Sequence, residues 1–180
     1  RRQLKEINQK YRSTLIYVTH DQIEAMTFAE NIIVMDAGKI VQVGSPAELF
    51  DRPKTTFVGY FIGAPAMNFF NCQAVGGYKL SIGSAEIMTG TDLSKVGSVQ
   101  LKLGIRSEYI RIVETKGANT LTAQVQRVED LGNYKLMTAV FDGYVIKVKV
   151  ERDITVPAEH VELRLPAENC CVYAADVLVS

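Results

Sequence analysis

The sequence predicts two architectures in series: a short α/β segment over residues 1–66, then a small all-β barrel over residues 67–180. Three observations carry this. Before Met67, apolar residues recur at helical spacing between sharp capping signals; after it, period-two alternation takes over; and turn residues divide that second part into short, evenly spaced strands.

The first part reads in order as follows. Arg1 to Arg12 are the end of a helix, with Leu4, Ile7 and Tyr11 at helical spacing. Leu15 to Val18 form a buried strand. Thr19-x-x-Gln22 is a capping box, so His20 stands at a strand end beside a helix N-terminus, a place where open α/β sheets put ligands. Asp21 to Glu30 follow as a helix, with Gln22, Glu24 and Thr27 on its polar face. Ile32 to Met35 are a second buried strand, Asp36-Ala37-Gly38-Lys39 a tight turn, and Ile40 to Val43 the return strand. Ser45-Pro46-Ala47-Glu48 opens a helix with Ser as N-cap, Pro at the first position and Glu closing the box. Thr56 to Ile62 form another helix, ended by Gly63 and blocked by Pro65.

In the second part, Val99, Leu101, Leu103 and Ile105 alternate with polar residues, as do Ile146, Val148 and Val150, and Val161, Leu163 and Leu165. Each set marks a strand with one solvated face. Asp142-Gly143 between Leu136–Phe141 and Tyr144–Val150 is a two-residue hairpin signal. Strands at this spacing suggest a small barrel.

Composition excludes several classes. Lys plus Arg and Asp plus Glu are 20 each, so net charge is zero, which argues against a broad nucleic-acid surface. No apolar run approaches the roughly 18 residues of a membrane-spanning helix. Cys72, Cys170 and Cys171 are unpatterned, and the adjacent pair is poor disulfide geometry; they read as reduced core thiols. His160 reads as exposed. Tyr109, Tyr134, Tyr144 and Tyr173 read as packing residues rather than a base-stacking groove, and Arg106 and Glu108 as strand-end surface residues. Lys147 and Lys149 read as a solvated stripe.

The run from Tyr17-Val18-Thr19-His20-Asp21-Gln22-Ile23-Glu24-Ala25-Met26 through Ile33-Val34-Met35-Asp36-Ala37-Gly38-Lys39 to Val43-Gly44-Ser45-Pro46 closely resembles the switch-histidine region of ATP-binding subunits of ABC transporters. It looks most like the carbohydrate-importer branch, which energises uptake of maltose, multiple sugars or glycerol phosphate. Asp51-Arg52-Pro53, Phe61-Ile62-Gly63 and Ala66-Met67-Asn68-Phe69 match the punctuation at the end of such ATPase domains. Glu30-Asn31 stands where the family usually has Asp-Arg, and Tyr60 where it has Ala. Gly104-Ile105-Arg106-Ser107-Glu108 resembles the family's Gly-Ile-Arg-Pro-Glu, with Ser107 for Pro. Val128-Glu129-Asp130-Leu131-Gly132 resembles its Val-Glu-x-Leu-Gly.

The resemblance implies the end of a nucleotide-binding domain followed by an OB-type, TOBE/MOP-like regulatory barrel. It implies that His20 contacts the γ-phosphate and helps position the attacking water. Asp21 either supports that loop or is a first-turn Asp favoured by the helix dipole. Gly104, Ile105, Arg106, Glu108, Glu129 and Gly132 are the candidate regulatory motif. The implied cofactors are ATP and Mg²⁺ in a longer parent, with residues expected upstream of Arg1. This fragment is expected to hold neither, because it has no Gly-x-x-x-x-Gly-Lys-Ser/Thr, no signature loop and no apolar strand ending in Asp-Glu. The implied partners are a second copy, transmembrane permease subunits and an external solute-binding protein, at the inner face of the cell membrane and without nucleic acid. The alternative is a free-standing barrel that binds an oxyanion such as molybdate.

Overall fold

A computed structural model describes residues 14–97 and 99–179, so the helix expected over residues 1–12 lies outside the described residues. The α/β part comprises helix α1 (Gln22–Phe28), the hairpin β1 (Ile32–Asp36) and β2 (Lys39–Gly44), and helices α2 (Pro46–Asp51) and α3 (Thr56–Phe61). Ile32 and Val34 turn inward onto Leu49, Val58 and Ile62, making a small separate core. The tight turn of the hairpin has positive φ at both Ala37 and Gly38, as its twist requires. Helix α2 starts as its sequence dictates: Ser45 Oγ accepts from Glu48 N at 3.3 Å, and Glu48 Oε2 accepts from Ser45 N at 2.7 Å.

Several readings of this part are corrected. Leu15–Val18 is not a strand and not buried; Ile16 is 83% and Val18 90% exposed. A strand needs a paired neighbour, and among the described residues the chain offers this segment none. Thr19 is not the N-cap. Asp21 is, accepting from Glu24 N at 3.0 Å, and the helix runs only from Gln22 to Phe28. Thr19 Oγ1 instead accepts from Asp21 N at 3.0 Å and donates to Glu24 Oε2 at 2.7 Å, so Glu24 is buried rather than on a polar face. The β1 strand is buried on one side only; Ile33 and Met35 are exposed opposite Val43 and Ile40 of β2.

The all-β part has two antiparallel sheets. One runs β10 (Tyr144–Glu151), β9 (Tyr134–Phe141), β8 (Thr120–Asp130), β11 (His160–Arg164), β7 (Arg111–Val113). The other runs β13 (Val177–Leu178), β12 (Cys171–Ala174), β6 (Leu101–Ile105), β3 (Asn68–Gly76), β4 (Lys79–Ile82), β5 (Ala85–Met88). Their inward residues share one core, including Leu103, Ile105, Met137, Ile146, Val148, Leu163 and Val172. The Asp142-Gly143 hairpin forms as expected, with Tyr144 opposite Phe141 and φ of 46° and 84° at the turn. Val99 stays exposed, and its strand starts at Leu101.

Candidate functional site: the His20 loop and the Arg106 junction

His20 sits on an exposed loop just before α1. The loop is closed by its own side chains. Thr19 Oγ1, Asp21 Oδ1 and the Glu24 carboxylate link residues 19 to 24, and Tyr17 OH donates to Glu24 Oε1 at 3.1 Å. Outside the loop, Gln22 Oε1 accepts from Gly63 N at 3.3 Å, tying the start of α1 to the turn after α3. This arrangement presents an imidazole to solvent on a braced turn.

The second assembly lies where the α/β part meets the barrel. Arg106, read from sequence as a surface residue, is fully buried. Its Nε donates to Phe50 O at 2.9 Å, its Nη1 to Gly59 O at 2.8 Å and to Ile62 O, and its Nη2 to Leu49 O at 3.5 Å. The guanidinium lies 4.5 Å from the centroid of the Phe50 ring. These carbonyls are at or near the C-terminal ends of α2 and α3, where peptide groups lack intrahelical donors and carry partial negative charge. A planar fork of five N–H donors suits four carbonyls converging from two helices. The expectation of a surface residue failed because strand periodicity reports which face of the barrel a residue takes, not what packs on that face.

The rest of the motif explains itself around Arg106. Gly104 sits where a Cβ would lie 2.8 Å from Met67 Sδ and 2.9 Å from rings of Phe69 and Tyr173, so only glycine fits. Ile105 fills the barrel core. Glu108 is half-buried, accepts from Ser107 Oγ at 2.8 Å, and faces Lys149 Nζ at 3.6 Å. Tyr109 OH donates to Asp51 Oδ1; that bond holds the phenol up at about 12. Tyr173, wholly buried, donates from its OH to Pro53 O at 3.0 Å. Sequence reasoning missed Tyr173, Phe50 and Tyr109 as junction residues; no local pattern marks them.

Other candidates disperse. Glu129 accepts from Arg127 at 2.7 Å, and Gly132, at φ +89°, shapes the β8–β9 turn; among the described residues neither bonds to Arg106 or Glu108. His160 is exposed at the start of β11. The four tyrosines line no common groove: Tyr144 packs on Phe70 and Tyr134 lies under Lys149. Lys147 is exposed, but Lys149 is half-buried. The three cysteines are buried free thiols, and burial pushes Cys72 and Cys170 up to about 12. Among the described residues there is no group of three or more His, Cys, Asp or Glu that could hold a metal, and no helix is long and apolar enough to cross a membrane.

The TOBE domain family matches residues 103–172, the stretch that carries Arg106. The sn-glycerol-3-phosphate import ATP-binding protein UgpC of Chromobacterium violaceum is 32% identical over 179 residues, covering 98% of this chain and 48% of that protein. Its namesake in Psychromonas ingrahamii is 40% identical over 132 residues, 73% of this chain and 34% of that protein. That of Vibrio cholerae is 38% identical over 160 residues, 88% of this chain and 41% of that protein. The chain thus spans about half or less of the length of these relatives. Among solved structures, the cytoplasmic molybdate-binding protein ModG superposes with a TM-score of 0.51 at 12% identity, over 59% of this chain and 95% of ModG. That likeness is one of fold, an OB-type barrel, and brings no ligand to this chain. Over nearly its whole length the chain corresponds to the carboxy-terminal part of the ATP-binding subunits of sugar-type ABC importers, and it carries their TOBE domain.

Proposed function

We propose that the chain is the carboxy-terminal portion of the ATP-hydrolysing subunit of an ABC transporter that imports a sugar or sugar phosphate. The observation that supports this best is the match across 98% of the chain to a glycerol-phosphate importer subunit, with the His20 loop inside the matched region. In this reading residues 1–66 end the nucleotide-binding domain, and residues 67–180 are a regulatory and dimerising barrel. The partners are a second copy, transmembrane permease subunits and an external solute-binding protein, with the subunit peripheral on the cytoplasmic face of the membrane.

The residues present do not make a nucleotide site by themselves. The chain has no Gly-x-x-x-x-Gly-Lys-Ser/Thr loop to cradle phosphates and no apolar strand ending in Asp-Glu for Mg²⁺ and water, and phosphoryl transfer depends on that positioning and charge. His20, exposed on a braced turn, is the group we assign to meet a terminal phosphate or water delivered by the rest of the protein. Asp21 acts on it through the cap it makes to Glu24 N.

The test is His20→Ala in the full-length subunit. Hydrolysis should fall by about a hundredfold or more, while ATP affinity changes only a few-fold, because a contact completed in the closed state acts on the transition state. Equal losses in affinity and turnover would make His20 a structural residue. The isolated 180-residue chain should show neither turnover nor micromolar ATP binding by calorimetry.

A further inference from the structure

Arg106 and His20 belong to different parts of the molecule, yet one peptide unit joins the groups that hold them. The carbonyl of that unit is Ile62 O, which accepts from Arg106 Nη1. Its N–H is Gly63 N, which donates to Gln22 Oε1 at 3.3 Å. A peptide unit is planar and rigid, so a tilt that serves one bond moves the other. A cation on the carbonyl also polarises the unit and strengthens its N–H as a donor. The geometry leaves no slack: Gly63 stands at φ +102°, and a Cβ there would lie 3.0 Å from Arg106 Nη1.

The unit's other end leads directly to the histidine. Gln22 is the first residue of α1, two positions after His20. The bonds from Thr19 to Asp21 and Glu24, and from Asp21 to Glu24, enclose His20 within residues 19–24. A displacement of Gln22 is therefore carried to His20 by a segment that moves as one piece. Arg106 itself follows Ile105 at the end of barrel strand β6, and across the junction its guanidinium is also held by the Phe50 and Gly59 carbonyls and by the Phe50 ring of the α/β part, so it ties the barrel to those helix ends.

We propose that Arg106 is a positioning residue for the His20 loop. Through the Ile62–Gly63 peptide unit it sets where Gln22 and the start of α1 stand relative to the barrel, so that a ligand or partner that shifts the barrel shifts the histidine. The consequence for hydrolysis rests on the reading of His20 given above; the mechanical link does not.

The test uses the 180-residue chain labelled for NMR, with His160 as the internal reference for the His20 imidazole. Arg106→Met and Gln22→Leu should each shift the His20 imidazole signals and speed exchange of the 25–29 amides by about tenfold, with the β8 and β9 amides unchanged. Gln22→Glu keeps the acceptor oxygen and should restore both readouts. The double variant should be no worse than the worse single one, since both act through one peptide unit. Should Arg106→Met not fold, Gln22→Leu carries the test, because it must also shift the resonance of the Arg106 Nη1–H that donates to Ile62 O. Unmoved His20 signals in Arg106→Met, or an unmoved Arg106 Nη1–H in Gln22→Leu, would overturn the proposal. So would simple additivity. These outcomes do not depend on ATP: normal hydrolysis by His20→Ala in the full-length subunit would remove only the functional reading of His20.

Discussion

Among the described residues Arg106 is a buried cation with no ion-pair partner. Its charge is met by carbonyls at two helix ends, and burial lowers its pKa from the ordinary guanidinium value while Tyr173 and Glu108 oppose that shift. Arg106→Lys is not conservative here, because one ammonium reaches fewer of the four carbonyls and leaves the others unpaired. We expect it to cost about 2–3 kcal/mol, read as a lowered urea midpoint with unchanged slope. Gly104→Ala should cost about 1–3 kcal/mol by overpacking Met67, Phe69 and Tyr173. The cysteines make a third residue-scale prediction. Buried thiols with raised pKa have little thiolate at neutral pH, so Cys72, Cys170 and Cys171 should resist alkylation in the native chain and all react on denaturation. Rapid native labelling of Cys72 would contradict the packing described here.

At the scale of elements, local signals decided local structure where the required partners lie within a few residues. The Ser45–Glu48 capping box and the Asp142-Gly143 turn are of this kind. The same turn also makes a contact that the sequence does not announce. Asp142 Oδ2 accepts from Ser84 N and from Ser84 Oγ, each at 2.7 Å, pinning the β9–β10 turn to the β4–β5 turn. The Ser84 backbone N–H first, and its hydroxyl second, hold the Asp142 carboxyl below its ordinary value. The folded pKa is thus lower than the unfolded one. The stability it contributes is present above the ordinary carboxylate range and is lost as pH falls through the folded value. Asp142→Asn should therefore lower stability at neutral pH and flatten its fall below about pH 4, seen in urea midpoints across that range.

For the whole molecule, the junction makes the two parts interdependent. Arg106, Tyr173 and Cys171 of the barrel all bond to carbonyls between residues 49 and 62, and Lys102 pairs with Asp176 beside Thr56. A 67–180 truncation should keep the strand content of the barrel, whose core is its own, but melt at lower temperature because Tyr173 and Arg106 lose their cover. Sedimentation of both lengths tests whether the barrel carries the proposed self-association: the truncation should remain dimeric. A monomeric truncation beside a dimeric whole chain would move the interface to residues 1–66, where Ile33, Met35, Ile40 and Val43 form an exposed apolar face on the β1–β2 hairpin.

By itself the sequence determined the order of architectures, the β1–β2 and β9–β10 hairpins and the N-cap of α2. Each of these depends on spacing or turn chemistry between near neighbours. It misread Leu15–Val18, because an apolar β-branched run marks a strand only when another strand is there to take its backbone hydrogen bonds. It placed Asp21 in the helix and gave the cap to Thr19, because both residues can cap and only the actual backbone path selects the nearer carboxylate. Tertiary structure alone decided that Arg106 is interior. Its acceptors come from residues 49, 50, 59 and 62, more than forty positions away, and only folding brings those helix ends over the barrel to meet one guanidinium.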